Sequence, residues 1–261
     1  MTEPGDLIGK GYTADVYDAG DGLVMKLFKQ GYPEDAVRHE YRNSLLVNTL
    51  EIPLVKSHGL VCVQGRHGIL YDRAYGEPMQ DALMRTLDLD RYARLLARIH
   101  RELLGCRLPT AASHKAILSR NIGASPLLSA SQKEALAALL DGLADGDGFC
   151  HGDFHFGNVL LDGENWRVID YMNVCRGDML GDVARTVYLV ELTPVPPDIP
   201  DHERFVKLKR EAAGIYLDEL GIARAAITGW LTAVTAARLS EVAPDGLEAQ
   251  TILERLSHRI S

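Results

Sequence analysis

Cysteine is scarce in this sequence. Its 261 residues hold four, Cys62, Cys106, Cys150 and Cys175, far apart and never as a C-x-x-C pair. That spacing offers neither a zinc-ribbon ligand set nor a disulfide framework, and it suits a reducing cytoplasm. Positive charge is also in deficit: 28 Lys and Arg stand against 36 Asp and Glu, a net charge of −8. Neither a nucleic-acid backbone nor an anionic membrane is therefore the expected partner, whereas a cationic small molecule suits an acidic surface. No apolar run approaches the roughly 20 residues that span a bilayer. The opening MTEPGDLIGKG has no basic stretch leading into an apolar one, so no signal peptide is expected. What remains, 46% hydrophobic and 25% charged residues, is the balance of a globular chain long enough for one large domain or two lobes.

The first seventy-odd residues read mainly as strands. Residues 8–19 are punctuated by Gly9 and Gly11, Gly20-Asp21-Gly22 makes a hairpin turn, and residues 23–28 run on. Pro33-Glu34-Asp35 opens a helix through about Leu50, with proline and acids in the first turn, where the helix dipole favours them. Strands are expected at 60–64 and 68–75, across a Gly65-Arg66-His67 turn. From about Asp81 the period becomes helical: residues 89–104 set Tyr92, Leu95, Leu96, Ile99 and Leu103 on one face. A second helix, 131–143, opens with Ser131 and Glu134 as a capping box. Residues 149–171 break the pattern with short strands at 158–161 and 167–169. A proline-rich linker, 193–200, precedes helices at 203–220, 225–240 and 247–259. The order implies an α+β fold of two lobes, β-rich over 1–75 and mostly helical over 76–261.

Gly9-Lys10-Gly11-Tyr12-Thr13-Ala14-Asp15-Val16 fits G-x-G-x-x-small-x-V between strand-like residues. Glycines let the backbone approach phosphate oxygens and aim N–H groups at them. A dinucleotide-binding fold would need a helix directly after this loop; a strand follows, which excludes it. By itself the segment reads equally as a glycine-rich hairpin. Lys26 stands in an apolar strand, where its charge costs desolvation unless an anion meets it. Glu40 on the next helix is a partner that leaves the ammonium within reach of nucleotide phosphates. Taken singly, both residues read as surface charges.

The richest segment is His151-Gly152-Asp153-Phe154-His155-Phe156-Gly157-Asn158, followed by Val159-Leu160-Leu161 and Val168-Ile169-Asp170. Metal-assisted phosphoryl transfer needs such a set: one carboxylate takes the proton of an attacking hydroxyl, while a second carboxylate and an amide oxygen hold Mg²⁺ on the phosphates. Asp153 and Asn158 have the D-x-x-x-x-N spacing of a kinase catalytic loop. His151 and His155 lack a third ligand for zinc.

HGDFHFGNVLL followed by VIDY resembles the catalytic loop of the aminoglycoside phosphotransferase and choline kinase-like family, small-molecule kinases with the protein-kinase-like fold. The resemblance extends over the glycine loop, Lys26, Glu40, the hinge and Gly181-Asp182-Val183-Ala184-Arg185. It implies that Asp153 is the catalytic base, that Asn158 and Asp170 hold Mg²⁺, and that His151 and Asp182 brace the loop. It further implies that ATP or GTP binds at Gly9, Gly11 and Lys26, with Lys26 paired to Glu40. Hinge groups near Asp72 and Ala74 would read the base between Ile8, Val24, Leu160 and Ile169. Ala14 replaces a third glycine, Phe156 replaces a proline, and Tyr171-Met172 stands where protein kinases have Phe-Gly.

The implied acceptor is a hydroxyl on a small polar molecule, aminoglycoside-like or an amino alcohol. Trp230, Arg238 and Glu241 on the C-terminal helices are candidates to hold it, with Trp230, Val234, Ala237 and Glu241 on one helix face. The plainer reading of Trp230 and Glu241, a core tryptophan and a solvated glutamate, is preferred. A protein serine/threonine kinase is disfavoured by Gly152 in place of arginine and by the missing activation segment. A nucleotide-binding pseudokinase scaffold is disfavoured by intact Lys26, Asp153, Asn158 and Asp170.

Overall fold

The computed structural model describes residues 4–257. Backbone contacts divide the chain into two compact units: one runs to Ala82 and takes in Gly157–Asn173, the other comprises Leu83–Phe156 and the chain from Val174 onward. The sequence put a lobe boundary at residue 75 and left 157–173 with the helical part. The difference comes from strand pairing. The hairpin Val159–Asp162/Asn165–Val168 pairs with Glu77 and Pro78, and Leu54 bridges Val168. Such pairings join segments far apart in sequence and leave no periodic signal.

The first unit is built on strands β1 (Leu7–Lys10), β2 (Ala14–Gly20), β3 (Leu23–Phe28), β4 (Ser57–Val63) and β5 (Arg66–Asp72), antiparallel in the order β1-β2-β3-β5-β4. β3 lies in the middle, and Val24, Met25, Leu27 and Phe28 are all buried. A strand covered on both faces loses the simple alternation of apolar and polar residues. The β4–β5 turn is shorter than expected: Gln64 and Gly65 both have positive φ, and Arg66 and His67 already belong to β5. Helix α1 (Glu34–Val47) stops three residues before the expected Leu50 and buries Val37, Glu40, Asn43, Ser44 and Val47. Three of those five are polar, so the contact depends on hydrogen bonds. Asn43 donates to the carbonyls of Tyr171 and Met172 at 3.0 Å each, and Ser44 donates to Ser57 at 2.7 Å.

Helix α2 (Met79–Thr86) crosses the boundary, and the second unit then holds α3 (Leu89–Leu104), α4 (His114–Ala124), α5 (Ala130–Gly142), α6 (Met179–Val187), α7 (His202–Leu220), α8 (Thr228–Arg238) and α9 (Leu247–Ser257). The last two residues of the helix expected to 259 lie outside the described residues. α3 has the expected bounds, capped by Asp88, with Tyr92, Leu96, Ile99 and Leu103 buried. Each buried leucine or isoleucine there contributes roughly 1.5–3 kcal/mol. The capping box of α5 is Ser129 with Gln132, not Ser131 with Glu134. Ser129 has the extended backbone a cap requires, whereas Ser131 already lies in the first turn. α4 was not expected, because it buries only His114, Leu118 and Ile122. α8 is buried on every side from Trp230 to Ala237. A short antiparallel pair, Gly148–Cys150 and Cys175–Gly177, sets Cys150 opposite Cys175. Among the described residues no single helix is long and apolar enough to cross a membrane.

Candidate active site

The first unit encloses a cavity of about 600 Å³. Gly9, Gly11, Lys26, Glu40, Asp72, Ala74, Asn158, Leu160, Ile169 and Asp170 all line it, together with Ile8 and Val24. Every residue singled out for nucleotide or metal is thus at one place. β3 delivers Lys26 and α1 delivers Glu40. The Lys26 Nζ donates to both Glu40 carboxylate oxygens, at 2.8 and 2.9 Å, and to Asp170 Oδ1 at 3.2 Å. Burial disfavours the ammonium, but the two carboxylates outweigh it and hold the Lys26 pKa above the ordinary lysine value. Tyr71, which the sequence did not single out, donates its hydroxyl to Glu40 Oε1 at 2.9 Å. At Gly11 a Cβ would stand 2.9 Å from the Ala14 carbonyl, so the loop cannot take a side chain there without moving.

Asp170 has φ +70°, a left-handed backbone that aspartate tolerates better than most residues, at roughly 1–3 kcal/mol. Its flanks hold it there. The Tyr171 hydroxyl donates to the Val168 carbonyl at 2.7 Å and accepts the Val55 N–H at 2.8 Å, and Asn43 holds the next two carbonyls. Asn158 is buried. A carboxylate and a carboxamide oxygen are hard donors of the kind that suit Mg²⁺, so the donor set fits the expected ion.

In the second unit, α6 fixes the loop that carries Asp153. Asp182 is fully buried and accepts the N–H groups of His151, at 2.7 Å, and Gly152, at 2.8 Å. Gly152 has φ +74°, which a residue with a Cβ adopts only under strain. Its carbonyl accepts from Arg185 Nε at 3.0 Å. His151 is buried, and its Nδ1 accepts the Asp153 N–H at 3.3 Å. His155 Nε2 lies 3.9 Å from Asp153 Oδ2. His100, unmarked in the sequence because it repeats the apolar face of α3, pairs with Asp182 at 3.0 Å and with the Tyr216 hydroxyl at 2.5 Å. Burial opposes the Asp182 carboxylate, but the His100 hydrogen bond and charge and the Gly152 N–H outweigh it and lower its pKa to about 2.

The three acceptor candidates are placed differently. Trp230 is 2% exposed and stacks on His114 at 5.6 Å, a core residue with no face to offer a ligand. Glu241 lies beyond the end of α8 and so off the expected helix face. It is exposed, as the plainer reading has it, and also bridges Arg185 at 2.9 Å and Arg238 at 2.7 Å. Arg238 also meets Glu248 at 2.9 Å. Through Arg185, this network reaches the Gly152 carbonyl.

The phosphotransferase enzyme family matches residues 6–212 of this chain. No curated protein sequence matches it. Among solved structures it is similar to amicoumacin kinase hAmiN in complex with AMP-PNP, Ca²⁺ and Ami, at 14% identity over 98% of this chain and 87% of that one, with a TM-score of 0.59. An aminoglycoside-3′-phosphotransferase of type VIII is 19% identical over 90% and 93% of the two chains, with a TM-score of 0.58. The streptomycin–ATP–APH(2″)-IIa ternary complex is 14% identical over 98% and 91%, with a TM-score of 0.59. At such identities the likeness is one of fold, and that fold is the protein-kinase-like one. With the family match covering most of its length, the chain belongs to the phosphotransferase enzyme family and is a small-molecule kinase.

Proposed function

We propose that this enzyme transfers the γ-phosphate of ATP or GTP to a hydroxyl of a small, polar, aminated molecule, an aminoglycoside-like compound or an amino alcohol. The observation that carries the reading is the cavity of the first unit, where Lys26, Asn158 and Asp170 converge with the glycine loop. Its volume of about 600 Å³ falls in the ordinary range for a small-molecule or cofactor site. Ile8, Val24, Leu160 and Ile169 are apolar walls for a base, and the backbone near Asp72 and Ala74 offers it hydrogen bonds. The Lys26 ammonium, set between Glu40 and Asp170, contacts the α- and β-phosphates. Asn158 and Asp170 would hold Mg²⁺, which when bound neutralises charge on the β- and γ-phosphates. Asp153 aligns the acceptor hydroxyl and takes its proton, with His151, Asp182 and Arg185 keeping the loop backbone in register.

AMP-PNP with Ca²⁺ in the amicoumacin kinase complex, and ATP with streptomycin in APH(2″)-IIa, support nucleotide, divalent ion and an antibiotic-like acceptor. The net charge of −8 supports a cationic one. Four free cysteines and dependence on a nucleotide suit the cytoplasm. The test is a phosphorylation screen of aminoglycosides, amino alcohols, neutral sugars and hydroxy acids with Mg²⁺–ATP and Mg²⁺–GTP at two ionic strengths, read by mass spectrometry. Cationic acceptors should be phosphorylated, less readily at high salt. If only neutral or anionic compounds react, the aminated acceptor is wrong while phosphoryl transfer stands.

A further inference from the structure

One group of buried side chains has chemistry that phosphoryl transfer does not use. His114 opens α4, Cys150 ends the strand that leads into His151, and Cys175 faces Cys150 across the antiparallel pair. One ring nitrogen of His114 and the two Sγ atoms all lie within 4.8 Å of one another. All three residues are buried: His114 is 5% exposed and the cysteines 1% or less. Among the described residues the His114 Nδ1 has no hydrogen-bond partner although it is shut off from water. A buried polar atom left without a partner destabilises the fold unless a ligand satisfies it.

The surroundings keep space for the ring. A Cβ at Gly177 would stand 2.9 Å from the His114 Cβ and 3.4 Å from Cys150 Sγ, and one at Gly181 would stand 2.8 Å from His114 Nδ1. Trp230 stacks on the ring with an interplanar angle of 9°, which fixes its plane.

We propose that His114, Cys150 and Cys175 form a binding site for one thiophilic d¹⁰ metal ion, Zn²⁺ or Cu⁺, separate from the Mg²⁺-type donors Asn158 and Asp170. Two sulfurs and an imidazole nitrogen with no carboxylate are soft donors that select such ions over Mg²⁺ or Ca²⁺. Zn²⁺ with two thiolates and a neutral imidazole carries no net charge, which minimises the cost of burial; Cu⁺ suits the three-donor geometry. Binding is balanced by protons: each Zn²⁺ that displaces both thiol protons releases two H⁺ to solvent. Bonds of about 2.0–2.3 Å require donors under roughly 4 Å apart, so the ligands close by about 1 Å from their widest separation. Cys150 directly precedes the loop of His151 and Asp153, so an ion here ties α4 and both short strands to the base of that loop.

The experiment uses the reduced, chelator-stripped full chain with one equivalent of Zn²⁺, of Co²⁺ as a spectroscopic probe, or of Cu⁺. Bound metal is measured by elemental analysis after gel filtration, together with proton release and the melting temperature. One retained equivalent is expected, with two protons released per Zn²⁺, a Co²⁺–thiolate charge-transfer band and a higher melting temperature. Cys175→Ser should weaken retention at least about tenfold, and Cys62→Ser, at an exposed thiol, should leave it unchanged. Retention of Cu⁺ but not Zn²⁺ assigns the monovalent ion. Retention of neither by the folded wild-type chain overturns the site, as does an equal loss in Cys62→Ser. Should Cys175→Ser not fold, proton release and the Co²⁺ band in the wild-type chain decide alone.

Discussion

Asp170 in the first unit and Asp182 in the second are the same residue type set to opposite tasks. The Asp170 side chain is 37% exposed and faces a cavity, and its cationic neighbour Lys26 also serves Glu40. Asp182 is sealed, and its oxygens are taken by His100 and by two backbone N–H groups of the loop. A carboxylate at a cavity keeps capacity for a ligand, whereas a sealed one spends its capacity on its own protein. The first unit thus presents charge and the second consumes it to hold backbone.

Four substitutions probe that contrast. The largest effect is expected at Asp153, the proposed base, whose loop backbone the second unit holds through Asp182 and Arg185. Asp153→Asn should lower turnover by at least about a hundredfold while leaving Mg²⁺–ATP affinity, measured by calorimetry, near the wild-type value. Near-normal turnover would remove Asp153 from the proposed role. Next comes Asp182→Asn, expected to cost about 3 kcal/mol of folding stability in urea titrations, because a buried pair and two N–H groups lose their charged acceptor. The wild-type carboxylate, with its folded pKa lowered to about 2 from 3.8, stabilises the fold above pH 3.8 and ceases to do so as pH falls toward 2. That acid limb should flatten in the variant; an unaltered limb would contradict the assignment.

The same change at the cavity should do the reverse. Asp170→Asn keeps a residue that tolerates the left-handed backbone and should shift stability by under about 1 kcal/mol. Mg²⁺-dependent nucleotide affinity should fall roughly tenfold or more, since hydrogen bonds and contacts to charged groups are worth about 1.5–3 kcal/mol. If stability collapses instead, the division between presenting and consuming charge fails. The smallest effect is expected at Lys209, which donates to the Thr193 carbonyl and hydroxyl. Burial, aided by Arg255, lowers its pKa to about 8 from 10.5. Between those values the unfolded chain binds the extra proton, so wild-type stability rises with pH relative to Lys209→Gln. Melting temperatures of the two proteins from pH 8 to 10.5 measure it.

Several features were legible in the residue order because their signals are local. The glycine pair, Lys26 in its strand, the Asp153–Asn158 spacing and the apolar face of α3 each occupy a short window. The preferred reading of Trp230 as core also followed from its type and neighbours, and the structure has it buried. The rest depends on pairings that no window contains. Tyr71 on Glu40 and His100 on Asp182 join side chains from separate elements, and His100 is masked by the helix period it shares with Leu96 and Leu103. Glu241 is solvent-facing as its type suggests, but its bridge to Arg185 joins segments far apart in sequence.

Sequence alone therefore determined the chemistry available: a glycine loop, a lysine, an Asp–Asn pair and a second aspartate in an order that one family shares. Tertiary structure decided which charges stay available and which are consumed. It placed the hairpin around Asn158 and Asp170 with the β-rich unit, and it brought Cys150, Cys175 and His114 together from distant positions. The reason is that periodicity and spacing report which face of an element is buried, while the partner buried against it is chosen by long-range packing.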